Sequence, residues 1–524
     1  MTLPRAGVLG IFACAGAVGA IGLYLTFALI ASALHPGAGR EGAEQKPALT
    51  EPTAEAVAPG EGAQTAALTP PAEPSAPSAV VVPSAAPAPS AAAPVEAAPS
   101  GPAAPIEIEE ADPKLVSVGG AAAARGKRGL VILHIGDSHT SADFLTGELR
   151  RRLQARYGRG GTGYMTAGHP HIGVRSSTLK VTASSGWTYK SLQRPDAHVG
   201  EFWLSGYDAV ANAAGETMSF ASEQPLTFDS IEIEAIGQPG GGAIDIKLDG
   251  GIAAHYDLAA ARIEPVVIRL TPVRGPTDKM HEVAITTANA GTVSIASVSV
   301  YNSRSGVTYN SVGYVGAQVT LLNKMSEKLL DDGLSRINPQ IVILSFGTNE
   351  ASNEHLDIAQ YTRSYEKVIE RIRTVLPNSA IALIGPPDFN DPPAGCPKDK
   401  AAETACRGSS DPKVAANASA PSAMALASTS ANECGWHTPA KLAQVRDAQR
   451  DIAQREGLVY WNWASIMPSE CGAHQWYTAS PPLMSRDHVH FTAEGYKKSA
   501  EQFLNTLIPM IEKVRVGANA VSNN

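Results

Sequence analysis

A serine hydroxyl attacks an ester only when a base takes its proton and a third group holds that base in place. This chain of 524 residues contains candidates for all three. Ser138 lies in Gly136-Asp137-Ser138-His139, directly after the apolar run Leu130-Val131-Ile132-Leu133-His134-Ile135. Such a run reads as a buried parallel strand that delivers the serine to the carboxyl edge of a sheet, where open α/β sheets bind their ligands. Far along the chain stands Asp487-His488-Val489-His490. Asp487 and His490, three residues apart, can face the same way in one turn. The carboxylate then holds the imidazole Nδ1–H and leaves Nε2 for Ser138. An oxyanion also needs donors aimed at it. Asn349, in Gly347-Thr348-Asn349-Glu350 after a second apolar run at 341–346, supplies an amide at the same sheet edge, and Gly316 supplies a backbone N–H. Each piece also has a plainer use. Asp137 or Ser138 can cap a helix, Asp487 can be a helix-start acid, His488 and His490 can be metal ligands, and Asn349 and Gly316 can be ordinary turn residues.

Bringing 138, 316, 349 and 487/490 together requires a sheet whose strands end at one edge. Apolar runs at 130–135, 341–346, 381–385 and 458–461 read as strands, and segments 142–157, 361–376, 442–456 and 493–513 as helices. Their alternation predicts a parallel sheet covered on both faces. Between about 181 and 300 the helical pattern vanishes. Short alternating segments such as Ser230-Ile231-Glu232-Ile233-Glu234-Ala235 appear instead, and predict a small antiparallel sandwich or jelly roll. This block reads as inserted into the α/β domain. The glycine-rich stretch 158–164 lacks the Lys-Ser/Thr ending of a phosphate-cradling loop and reads as a tight connection. The long Ala/Ser/Pro-rich segment 392–432 reads as a surface loop, with a lid as the alternative.

The domain plan is therefore a transmembrane signal-anchor or cleaved signal peptide at 6–34, an Ala/Pro-rich disordered linker at 35–112, an α/β domain carrying the candidate site at 113–180 and 306–515, an inserted β domain at 181–305, and a tail at 516–524. Residues 6–34 carry no charge and are long enough to span a bilayer; either reading of them exports the rest, to the periplasm or beyond. The linker has too little apolar surface to offset its ordering entropy. A formal charge of −8 and the lack of a basic stripe argue against nucleic acid as a partner. Four of the five cysteines fall between 396 and 471, which suggests disulfides in an exported protein. Proximity favours Cys396–Cys406 with Cys434–Cys471, and metal binding is the alternative. Aromatic residues of the insert (Trp187, Tyr189, Phe202, Trp203, Tyr207, Tyr256) read as core rather than as sugar platforms.

Taken in order, Gly136-Asp137-Ser138, Gly316, Gly347-Thr348-Asn349 and Asp487-x-x-His490 resemble the SGNH/GDSL hydrolase superfamily, with His139 where Leu is usual and Glu350 where Asp is usual. The flanks Ala142-Asp143-Phe144, Gly306-Val307-Thr308-Tyr309, Cys434-Gly435-Trp436, Thr438-Pro439, Gln449-Arg450 and Trp461-Asn462-Trp463 narrow the resemblance to exported peptidoglycan O-acetylesterases, although that group often has Asp at the position of Asn462. The resemblance implies a flavodoxin-like three-layer α/β/α fold and an insert similar to a carbohydrate-binding module. It implies Ser138 as nucleophile, His490 as base oriented by Asp487, and an oxyanion hole of the Ser138 and Gly316 N–H groups with the Asn349 side chain. No metal or organic cofactor is implied. The expected partner is an O-acetylated envelope glycan, with the membrane held through the N-terminal helix. The same residues serve an acetyltransferase equally well, and a non-catalytic wall-binding protein is the reading from another class.

Overall fold

The computed structural model describes residues 114–119, 129–194, 197, 202–271, 279–302, 306–391, 406, 436–469 and 471–522. Segments 6–34 and 35–112, read as membrane span and linker, lie outside the described residues, as does 392–432 except Cys406. Among the described residues no helix is long and apolar enough to cross a membrane.

The strands β2 (Leu130–Gly136), β13 (Val307–Gly313), β14 (Ile341–Ser345), β15 (Ala380–Gly385) and β16 (Val459–Asn462) form one sheet in the order β13-β2-β14-β15-β16. All its pairings are parallel. Counted within this domain the order is 2-1-3-4-5, the flavodoxin-like arrangement. Both faces are covered, which explains why the central strands β2, β14 and β15 are largely apolar rather than alternating, whereas the edge strand β13 carries the polar Thr308, Asn310 and Ser311. Leu133, Ile135, Val342, Leu344 and Leu383 face a core completed by α3 (Glu327–Ile337), α5 (Ile358–Val375) and α6 (Lys441–Glu456). Ile132, Ile343 and Ile384 face the opposite core, with α2 (Phe144–Tyr157) and α8 (Ala493–Ser522). Even His134 of β2 is fully buried; its Nδ1 is 2.8 Å from the Tyr309 hydroxyl, and burial pushes its pKa down to about 3.

The insert is a two-sheet sandwich. One sheet has the order β1-β10-β7-β12-β5-β4, made of Lys114–Gly119, Glu264–Thr271, Ser230–Gly237, Val293–Tyr301, Tyr207–Ala211 and Thr188–Ser191. The other has the order β3-β6-β11-β8-β9, made of Leu179–Ala183, Thr217–Ser222, Glu282–Thr287, Ala243–Leu248 and Gly251–Asp257. Every pairing is antiparallel except β1 with β10. Residues 114–119 thus belong to the sandwich and not to the α/β domain, where the sequence boundary placed them. A short apolar stretch carries no mark of which sheet edge it will join.

Strand β7 shows why the two domains hold together. Ile231, Ile233 and Ala235 point into the sandwich core, while Glu232 and Glu234 alternate toward the other domain and are buried there. Arg336 of α3 pairs with both carboxylates, at 2.9 Å from Glu232, and lies over the Trp203 ring at 5.4 Å. Arg269 also pairs with Glu232 and Asp332 with Arg336, so it is removal of Arg336 that would leave the buried Glu234 without a cation, a loss of about 3–5 kcal/mol.

Two further expectations change. Helix α8 continues through Ser522, so most of the 516–524 tail is helical. No proline follows residue 513 to stop it, and Val514 still packs against the core. The disulfide described is Cys406–Cys471, not a pair of sequence neighbours. A disulfide requires Cα atoms within about 7 Å; here they are 5.9 Å apart across a sequence separation of 65.

Candidate active site

Three parallel strands end in register. Gly136 of β2 lies opposite Gly313 of β13 on one side and Ser345 of β14 on the other. The next residues of all three strands therefore emerge at one edge. Ser138 comes two positions after its strand, Gly316 three, and Asn349 four. Gly136 must be glycine because a Cβ would collide with Thr140 Oγ1 and the Ser345 carbonyl.

The turn after β2 is a helix of its own, α1 (Ser138–Ser141), separate from α2. Asp143, with φ of 54°, divides them. Asp137 is the N-cap and accepts from the His139 N–H at 3.0 Å. The capping role considered for Ser138 thus falls to Asp137, and the serine hydroxyl is left for another partner. That partner is His490 Nε2, at 2.8 Å. On the far side of the ring, Nδ1 lies 2.7 Å from Asp487 Oδ2. Asp487 Oδ1 accepts the backbone N–H groups of Val489 (3.0 Å) and His490 (2.9 Å), so the carboxylate is fixed by the loop that carries the histidine.

The electrostatics follow from these contacts. Burial disfavours ionised Asp487, but hydrogen bonds from the His490 ring and the two backbone N–H groups outweigh it and hold the pKa at about 2. The Asp487 hydrogen bond raises the His490 pKa, with burial opposing. Asp487 and His490 side chains are 50 % and 40 % exposed, so the dyad lies in an open site that a polymer can reach.

Gly316 has φ of +74°, a conformation natural to glycine, and it is exposed. The Asn349 amide donates to the Ala317 carbonyl at 2.9 Å. One amide hydrogen thus ties the 316 loop to the turn after β14, and the second is left for a ligand. Glu350, the next residue, accepts from Val319 N–H at 2.8 Å and reinforces the same link. It is buried with Oε2 unpartnered, and burial raises its pKa to about 7. Burial also raises Asp137, to about 6, against hydrogen bonds that include Thr348. Gln449 of α6 supports the turn from below, donating at 2.7 Å to the Phe346 carbonyl.

The structure therefore brings all five candidate residues to one edge and joins Ser138, His490 and Asp487 by direct hydrogen bonds. It separates the two histidines of the Asp-x-x-His block. His488 has φ of +56°, stacks on Trp436 at 3.8 Å and lies 3.1 Å from His474 Nδ1. It anchors the loop while His490 reaches the serine. Among the described residues no group of three His, Cys, Asp or Glu side chains is placed to hold a metal ion. Asn462 is exposed at the end of β16, at the N-cap position of a short 3-10 turn but with no side-chain capping bond.

His139 is a participant the sequence left unexplained. It is buried, lies 5.3 Å from both the His490 and Trp463 rings, and meets the Tyr496 hydroxyl at 2.9 Å. Burial lowers its pKa to about 3. It thus backs the His490 imidazole with a neutral ring. The only sequence signal was the polar residue standing where an apolar one is usual.

Residues 296–498 match the model of the GDSL-like lipase/acylhydrolase family. The match covers Asn349, Asp487 and His490, whereas the Ser138 turn lies before the insert. No curated protein matches the sequence. Among solved structures the chain is similar to one described as a peptidoglycan O-acetylesterase in action, at 23% identity, over 74% of this chain and 93% of that chain, with a TM-score of 0.55. It is also similar to a family two carbohydrate esterase from Clostridium thermocellum in complex with cellohexaose, at 11% identity, over 64% and 99% of the two chains, with a TM-score of 0.26. Only the first of these likenesses supports the fold. With strand order, block order and family match in agreement, the chain carries a GDSL-like acylhydrolase domain of the SGNH type, resembling peptidoglycan O-acetylesterases in its fold.

Proposed function

We propose that this protein is an exported serine esterase that removes O-acetyl groups from peptidoglycan or a related envelope polysaccharide. The observation that carries this reading is the relay Asp487 Oδ2, His490, Ser138 Oγ, with contacts of 2.7 and 2.8 Å in an open site. Ser138 Oγ attacks the acetyl carbonyl while His490 Nε2 takes its proton, and the imidazolium is stabilised by Asp487. The carbonyl oxygen becomes an anion facing the N–H groups of Ser138 and Gly316 and the free amide hydrogen of Asn349. Collapse breaks the bond to the sugar oxygen, which leaves with the proton from His490. Water then attacks the acetyl-serine with His490 again as base, and acetate departs. The chain supplies the nucleophile, base and oxyanion donors itself.

The half-exposed dyad favours a large acylated polymer over a small ligand that must be enclosed. In this reading the segment 6–34 exports the chain and anchors it at the inner membrane, with the catalytic domain in the periplasm. The test is acetate release by the full chain from O-acetylated murein, alongside hydrolysis of an aryl acetate. Ser138→Ala is expected to reduce both by about 10⁴-fold or more while leaving the thermal unfolding transition in place. A folded Ser138→Ala protein that still releases acetate at the wild-type rate would sink the serine assignment. Acetyl transferred to an added glycan, in place of free acetate, would identify a transferase.

A further inference from the structure

A cavity of about 540 Å³ lies beside the catalytic turn, between the sandwich and the hydrolytic domain. Its wall includes Ser141 of α1 and Gly313 at the end of β13, so it adjoins the elements that carry Ser138 and Gly316. Most of the remaining wall comes from the segment leading into β3. That segment is pinned to the catalytic turn. Ser141 Oγ donates to the Gly173 carbonyl at 3.0 Å, and the Arg175 N–H donates to the Ser141 carbonyl at 3.0 Å. Further along, the Ser177 N–H and hydroxyl donate to Asp143 Oδ2 at 2.8 and 2.7 Å.

The lining is unusual for a chain of formal charge −8. Asp143 and Arg150 neutralise each other at 3.0 Å. What is left is Arg175 and Lys180 against one acid, Glu223. Arg175 and Lys180 are exposed, and neither has an acidic partner among the described residues. Cations left unpaired in a concave wall raise the local concentration of anions. The volume falls within the range of small-ligand sites. Ile172, on the same segment and 84 % exposed, provides an apolar contact of the kind a sugar face accepts.

We propose that this cavity is a subsite for a carboxylate-bearing substituent of the glycan strand, with Arg175 and Lys180 taking the carboxylate while a neighbouring acetyl ester lies at Ser138. The substrate is thereby an acidic glycan rather than a neutral one. The proposal rests on the esterase reading for what Ser138 does to the strand; the anion subsite itself is measurable separately.

The experiment is calorimetric titration of the full chain with tetragalacturonate and with neutral chitotetraose, at low salt and at about 0.5 M NaCl. Tetragalacturonate is expected to bind and chitotetraose not, and salt is expected to weaken the binding severalfold. The double variant Arg175→Gln/Lys180→Gln should weaken it by about tenfold or more, since two charge-assisted hydrogen bonds are lost. Lys441→Gln/Arg450→Gln on α6 makes the same change in net charge elsewhere and should leave binding intact. Because Arg175 also bonds the Ile172 carbonyl, Lys180→Gln alone provides a second measurement, expected to weaken binding about threefold. Equal affinity for the two oligosaccharides, wild-type binding by the double and single variants, or equal weakening by the α6 control would each overturn the subsite. Failure to release acetate from murein would overturn the esterase reading and leave this titration interpretable.

Discussion

Asp487→Asn isolates what the third member of the relay contributes. The carboxylate accepts the His490 Nδ1–H at 2.7 Å and raises the imidazole pKa. An asparagine there can instead donate an N–H to Nδ1. That selects the tautomer whose Nε2 carries hydrogen, and a protonated Nε2 facing Ser138 cannot accept its proton. In a buried relay this change lowers turnover by about 10⁴-fold. Here the Asp487 side chain is 50 % exposed, so water can partly stabilise the imidazolium and the productive tautomer remains accessible. The expected loss in kcat is therefore about 10³-fold, or about 4 kcal/mol of barrier. KM should change little, because Asp487 faces the histidine and not the substrate.

The pH profile gives an independent sign. His490 must be neutral to act, so the rate falls as pH drops through its pKa. In the wild type that limb lies above the ordinary histidine value, because Asp487 favours the protonated ring. Removing the negative charge and its hydrogen bond must move the limb to lower pH. The assay is initial-rate hydrolysis of an aryl acetate from pH 5 to 9. Activity within about tenfold of wild type, or a limb that stays in place or moves up, would refute the relay.

Two other changes probe the surroundings. Asn349→Ala removes a proposed oxyanion donor and the bond to the Ala317 carbonyl, and should lower kcat by about 10²–10³-fold; a loss confined to KM would place Asn349 outside the oxyanion hole. Glu350→Gln tests the buried carboxyl. Its folded pKa of about 7 exceeds the ordinary glutamate value of 4.5 because of burial, so the folded state holds a proton that the unfolded chain releases between those values. Its contribution to stability is present below about 4.5 and is lost as pH rises through 7. Glutamine removes that loss, so the unfolding free energy of the variant relative to wild type should rise from pH 5 to pH 8 by on the order of 3 kcal/mol. Parallel profiles from denaturant titration would show that Glu350 is ionised throughout.

The insert shapes the site more than its position in the chain suggests. It leaves the α/β domain after α2 and returns at β13, the strand paired with β2. Its first segment is therefore held against the serine turn, and its other end leads directly into the Gly316 loop. Gln193 at the end of β4 donates to the Val315 carbonyl at 3.0 Å, adding a second tie at the same loop. Any movement of the sandwich relative to the sheet is thus coupled to a proposed oxyanion donor.

The sequence by itself determined the parallel sheet, because β2, β14 and β15 must be apolar on both faces. It also determined the insert, because period-two alternation in β7 and β8 is incompatible with helix. The chemistry was legible where spacing is local: three residues separate Asp487 from His490, and one backbone turn makes them neighbours. Tertiary structure decided everything that depends on long-range placement. It put β1 on the sandwich edge, paired Cys406 with Cys471, and turned His488 onto Trp436 while His490 went to Ser138. It also gathered Arg175 and Lys180 into a wall beside the catalytic turn. None of these leaves a periodic trace, because each is fixed by contacts between segments whose separation in sequence says nothing of their distance in space.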